Sequence, residues 1–102
     1  MKMKTVIRGN VAVPATTRKD KYGRSYESFL VFEDRYEKHG DTFKKTGKTA
    51  FRITAYNTEA KKIAKRFPKG ALVEIEGAYS VKNANRYIKM YKGKEIRFKA
   101  AA

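Results

Sequence analysis

Aromatic and basic residues are interleaved in four short stretches of this chain: "KYGRSY" (21–26), "FRITAY" (51–56), "NRYIKMYKGK" (85–94) and "IRFK" (96–99). Seven tyrosines and six phenylalanines supply the rings, and there is no tryptophan. An aromatic face stacks on any base, and a cation meets a phosphate wherever it falls. The mixture therefore suits a groove that holds a single nucleic-acid strand without reading its sequence. Tyrosine is the better ring for a sheet surface, because its hydroxyl tolerates water.

The residues that could do this work fall into sets. Tyr22, Arg24 and Tyr26 belong to a first hairpin. Arg52 and Tyr56 share the polar register of a third strand; the alternative is a cross-strand surface pair. Tyr87, Lys89 and Tyr91 share one register of a last strand, with Lys92 and Lys94 beyond; the alternative for the two tyrosines is a buried face. Arg8 in the first strand, Tyr36 at the end of the second and Arg86 at the start of the last complete the basic and aromatic set.

Catalysis finds little in this sequence. The one histidine, His39, lies in a charged segment. Glu33, Asp34 and Glu37 are grouped as metal ligands can be, but Arg35 and Lys38 beside them read as balanced surface charge. "KKTGKTA" lacks the first glycine and the strand–helix setting of a phosphate loop. The chain reads as a binding protein, not an enzyme, with no metal and no cofactor.

Charge points the same way. Twenty-five Lys and Arg oppose ten Asp and Glu, a net +15 on 102 residues. Such a chain attracts polyanions. A membrane is not expected: no apolar run approaches the roughly 18 residues of a span, and the cations do not ride on an amphipathic helix with a large apolar face. There are no cysteines, which removes disulfides and thiolate metal sites and fits a reducing cytoplasm.

The elements that must position these residues read mostly as strands. Lys4 to Val13 is apolar and β-branched and ends at Pro14. Tyr26 to Tyr36 is a second strand, and Glu37 to Lys48, with two glycines and many charges, reads as a long loop. "TAFRITAYN" alternates, with Phe51, Ile53 and Ala55 on one face and Arg52, Thr54 and Tyr56 on the other. Ala60, Ile63, Ala64 and Phe67 form one helical stripe, capped by Asn57 or Thr58 and ended by Pro68 and Gly70. "ALVEIEGAYSV" places Val73, Ile75, Tyr79 and Val81 in one register, with a bend or bulge at Gly77. "KNAN" turns the chain into a final strand, divided by a turn at Lys92-Gly93. Five strands with a helix between the third and fourth describe an all-β OB-fold, a Greek-key barrel plugged by its helix, as one domain over residues 1–102. A small SH3-like barrel is the rival, and it has no use for that helix.

Three stretches carry a resemblance. "KTVIRGNV", "FRITAYNTEAKKIAKRFPKGALVEIEGAYSV" and "RYIKM" occur in the order seen in bacterial single-stranded DNA-binding proteins, and primosomal replication protein B is a near variant. The resemblance implies an OB-fold and single-stranded DNA as ligand, with Arg52 and Tyr56 at DNA-contacting positions and Tyr36 at a stacking position. It also implies replication or recombination as the setting, a helicase or polymerase as candidate partners, and a homo-oligomer. Two departures stand out. Ala50 occupies the position of the family's tryptophan, and the sequence runs to "KAAA" where the family has an acidic tail. A basic version without that tail suits a phage, plasmid or other mobile element. The charge and the aromatics equally suit an RNA-binding OB protein of the ribosomal or translation-accessory kind, and a replisome protein-interaction barrel is a third reading.

Overall fold

The computed structural model describes residues 3–96. The elements are β1 (Met3–Lys19), β2 (Ser25–His39), β3 (Thr42–Ala55), α1 (Thr58–Arg66), β4 (Leu72–Lys82) and β5 (Asn85–Glu95). The strands close into a barrel in the order β1-β2-β3-β5-β4. All neighbours are antiparallel except β3 and β5, which run parallel. This is the expected OB-fold, with its one helix between the third and fourth strands.

Alternation along each strand builds the core. Val31, Ile53, Val73, Ile75 and Ile88 are fully buried, joined by Val11, Phe29, Phe51 and Met90. The intervening residues face outward, and that face becomes the site described below. Tyr79 packs against the core from a half-buried position. Val81, expected in the same register, is exposed, because β4 has by then run past the enclosed part of the barrel.

The helix plugs one end. Asn57 caps it, its Oδ1 accepting the Ala60 amide at 2.8 Å. Ala60 and Ala64 are buried against the strands, and Phe67 meets Phe29 edge-on at 5.8 Å. Alanines on the inner stripe let the helix approach the barrel closely.

Close approach also explains two glycines. A side chain at Gly9 would lie 2.4 Å from the Phe32 carbonyl oxygen, and one at Gly77 2.1 Å from that of Lys89. The ladder slips at Gly77 as expected: Glu76 faces Lys92 while Gly77 faces Met90, which leaves Tyr91 as the extra residue of a bulge on β5.

Three expectations about the strands are corrected. Pro14 does not end β1, which continues to Lys19. The ladder is irregular between Val13 and Thr16, so the missing proline amide costs no regular hydrogen bond there. Residues 37–48 are not a loop. β2 and β3 stay paired out to His39 and Thr42, around a turn at Gly40. Both faces of this arm are solvated, so no apolar alternation announces it. Lys92-Gly93 is not a turn, and β5 is one strand. The "KNAN" turn is as expected: Asn83 and Ala84 both adopt positive φ, the geometry of a tight two-residue hairpin. Of the "IRFK" stretch, Arg97, Phe98 and Lys99 lie outside the described residues, as does the final "AAA".

The alternation yields a test. Ile53 is 0% exposed at the centre of the barrel. Ile53→Ala should cost about 2–5 kcal/mol through the cavity it leaves, measured as a shift of the urea midpoint at unchanged slope. Arg52→Ala, one residue away on the outer face, should leave that midpoint nearly unmoved.

Candidate nucleic-acid interface

The parallel β3–β5 pairing assembles the outer face. It sets Arg52 opposite Tyr87 and Thr54 opposite Lys89. Each strand by itself offers one cation and one further polar or aromatic group. Side by side they form a small basic, aromatic surface. β4 extends it from the other side, with Ser80 opposite Tyr87 and Ala78 opposite Lys89.

The β1–β2 turn closes over one end of this surface. Asp20 organises that turn. Its Oδ1 accepts the amides of Tyr22 and Arg24, each at 2.9 Å, and its Oδ2 accepts from the Arg24 Nε at 3.0 Å. Burial acts to push the Asp20 carboxyl up. Hydrogen bonds from the Arg24 and Tyr22 amides, with the Arg24 guanidinium, outweigh it and hold the carboxyl below its ordinary value. Asp20 thus fixes where Arg24 points, which is over the rings of Tyr22 and Tyr56, at 5.4 and 5.5 Å from their centroids.

Tyr56 is the hub of the cluster. It follows directly after β3 and is half-buried. Its ring stacks on Tyr26 with centroids 4.9 Å apart and planes 21° from parallel. The Lys89 ammonium is 5.4 Å from the same ring. Such cation–π contacts preorganise charge beside an aromatic face. Arg24, Thr54, Tyr56, Tyr87, Lys89 and Lys82 line an open cleft of ≈ 420 Å³.

The structure thus brings seven of the expected residues together: Tyr22, Arg24, Tyr26, Arg52, Tyr56, Tyr87 and Lys89. Tyr87 and Lys89 face outward, flanking the buried Ile88. The other six expected residues lie elsewhere. Arg8 and Lys94 both approach Glu74, each at 3.7 Å, and Lys92 sits opposite Glu76. There the cations are offset by carboxylates. Lys4 bonds Glu76 at 2.8 Å, which lowers the Glu76 pKa and raises that of Lys4. Tyr36 stands exposed on the β2–β3 arm, well beyond the cleft. Arg86 is exposed at the start of β5, and Tyr91 protrudes from the bulge.

Sequence reasoning missed Asp20 and Lys82. Asp20 had a usable signal: an Asp three residues before a Gly is a turn signature. Lys82 had none, since it enters the cleft only through strand pairing. Among the described residues no group of three or more His, Cys, Asp or Glu could hold a metal ion, and no helix is long and apolar enough to cross a membrane.

Comparison with known proteins follows the same lines. A family model described as "Single-strand binding protein family" matches residues 3–94. No curated protein matches the chain. Among solved structures, a small single-stranded DNA-binding protein from Streptomyces coelicolor superposes with a TM-score of 0.78 at 15% identity, covering 94% of this chain and 95% of that one. The mitochondrial single-stranded DNA-binding protein Rim1 of S. cerevisiae gives 0.72 at 15% identity, covering 98% and 99%. The PriB protein of Ralstonia solanacearum gives 0.69 at 8% identity, covering 92% and 97%. At these identities the structures establish a shared fold.

The Tyr56 environment makes a pH prediction. Burial first, then the nearby Asp20 and Tyr26, push its phenol above the ordinary tyrosine value, with Arg24 pulling the other way. A group raised on folding contributes its stability in full below its unfolded pKa, near 10, and loses it as pH rises through the folded one. In an alkaline absorbance titration, Tyr56→Phe should therefore remove a late-ionising phenol. The variant should also lose less stability than the parent above about pH 10.

Proposed function

This chain belongs to the single-strand binding protein family, and from that premise we propose that it binds single-stranded DNA without sequence preference in the β3–β5 cleft. It is an OB-fold protein of this family. The observation that carries the finer reading is the convergence of Arg24, Arg52 and Lys89 with the rings of Tyr22, Tyr26, Tyr56 and Tyr87 on one open face. Cations at the cleft meet phosphates, and exposed ring faces meet bases. A duplex hides its base faces in the stack, so the aromatic part of this surface favours an unpaired strand.

The cleft residues do not contribute alike. Tyr56 is held by Tyr26 and the two cations, and it works as a scaffold that sets the spacing of Arg24 and Lys89. Tyr87 lies between Arg52 and Ser80 on the sheet, where a base can stack on it. Arg8, Lys92 and Lys94, engaged or faced by Glu74 and Glu76, add to long-range attraction more than to the cleft itself. Tyr36 and Arg86 serve as outlying contacts for a longer strand.

Replication or recombination, in the cytoplasm and in a phage, plasmid or other mobile element, is the setting that fits a basic binder of this family. Its partners there would be a helicase or polymerase and further copies of the chain. A competition titration of labelled dT oligomer against duplex DNA and matched RNA tests the ligand. We expect the single strand of DNA to compete best; preference for RNA or duplex would overturn the reading. Affinity should fall with salt at about −0.7 per phosphate contact on a log–log plot. Arg52→Ala should reduce that slope by roughly one contact, uniformly across sequences. Tyr87→Ala should cost roughly 1–3 kcal/mol of binding with the thermal melt unchanged.

A further inference from the structure

A carboxyl group is buried where the core of the barrel gives way to the β1–β2 hairpin. Glu27 is 3% exposed, the one buried polar or charged residue among those described. It takes the next inward place on β2 beyond Val31 and Phe29, so the alternation that builds the core ends in a glutamate. Its ladder partners are Thr17 on β1 and the fully buried Ala55 on β3. The Thr17 hydroxyl donates to Glu27 Oε2 at 2.6 Å, a short hydrogen bond.

An apolar side chain in this place would carry no desolvation cost, so the carboxyl needs a reason beyond stability. The segment it touches supplies one. The β1–β2 ladder is irregular between Val13 and Thr16 and then resumes, from the Thr16–Ser28 pair to the Lys19–Ser25 pair. Thr16, Thr17, Arg18 and Lys19 are all exposed, so no apolar residue of that stretch holds it to the core. Directly beyond it lies the turn with Asp20, Tyr22 and Arg24, whose guanidinium stands over the Tyr56 ring. Next to Glu27, Tyr26 stacks on Tyr56, the residue that follows Ala55. The Thr17–Glu27 bond thus ties the far end of β1 to the place where the two stacked rings leave the barrel.

We propose that Glu27 is a positioning residue of the cleft: its buried carboxyl, bonded by Thr17, holds the β1–β2 hairpin so that Tyr22 and Arg24 stand beside Tyr56. The inference rests on the reading of the cleft as a single-strand site and deepens it, since Glu27 itself touches no ligand. A hairpin free to swing would present Arg24 and Tyr22 at many distances from Tyr56. A strand binding there would have to order them, at a cost in affinity.

The test uses the whole chain, a dT oligomer, thermal melts and amide hydrogen exchange. Glu27→Met keeps the length of the side chain, removes the acceptor and leaves the exposed Thr17 hydroxyl to water. It should melt at or above the parent's temperature, yet bind the oligomer about tenfold more weakly. Its amides at residues 20–26 should exchange faster than the parent's. Glu27→Gln keeps an oxygen acceptor for Thr17 and should restore parental affinity and exchange. Both variants remove the same carboxyl, so any effect of charge is common to them and their difference reports the bond. Adding Thr17→Val to Glu27→Met should weaken binding no further. The role is overturned if Glu27→Met binds as tightly as Glu27→Gln, or if its loss of affinity comes with a matching fall in melting temperature. The two readings fail separately. A parent that binds no oligomer overturns the cleft; parental exchange at residues 20–26 in Glu27→Met overturns the clamp, whatever the parent binds.

Discussion

The parallel pairing of β3 with β5 is the contact on which the rest of this molecule depends. Parallel neighbours cannot be joined by a tight turn, so the chain needs a crossover, which α1 and β4 supply. That crossover puts the helix under one end of the barrel and lets β4 close against β1. The same pairing sets Arg52 beside Tyr87 and Thr54 beside Lys89. Closure and site assembly are therefore one event. A slip of β5 by one residue would bury Tyr87 and Lys89 and expose Ile88 and Met90, so the barrel core enforces the register of the cleft.

Charge is the second constraint. With +15 on 102 residues the folded chain repels itself. Its carboxylates are spent unevenly. Glu74 and Glu76 face a cluster of cations on β1 and β5, Asp34 holds Lys45, and Asp20 holds Arg24. These exposed pairs add little stability one by one; their effect is on where positive charge is left uncompensated. Arg52, Lys89 and Lys82 on the cleft face carry no carboxylate partner among the described residues. A polyanion laid across that face relieves the repulsion that folding creates.

Asp20 shows how a single carboxylate can serve a basic site. It removes one positive charge from the cleft's reach, yet it orders the turn that carries Tyr22 and Arg24. Without it, Arg24 would be a flexible side chain on a loop. The site accepts a small electrostatic loss in return for a fixed guanidinium above two rings.

The sequence by itself determined the elements that touch the core. In "FRITAY" the alternation separates Phe51, Ile53 and Ala55 from Arg52, and the helix stripe Ala60, Ile63, Ala64 and Phe67 is explicit, because burial on one side only leaves a period in the residues. Where both sides are wet the period vanishes, and residues 37–48 read as a loop though their backbones pair as strands. Where apolar residues stand on both sides the period vanishes too. In "FLVF" the buried Val31 could not be told from the outward Leu30 and Phe32. The candidate residues were legible as types and local spacing. Which of them share a surface was not: Arg52 meets Tyr87, and Arg8 meets Glu74, only through strand pairing between distant segments. Only the tertiary structure decided that, because proximity across a closed sheet depends on register and closure, and no local pattern records either.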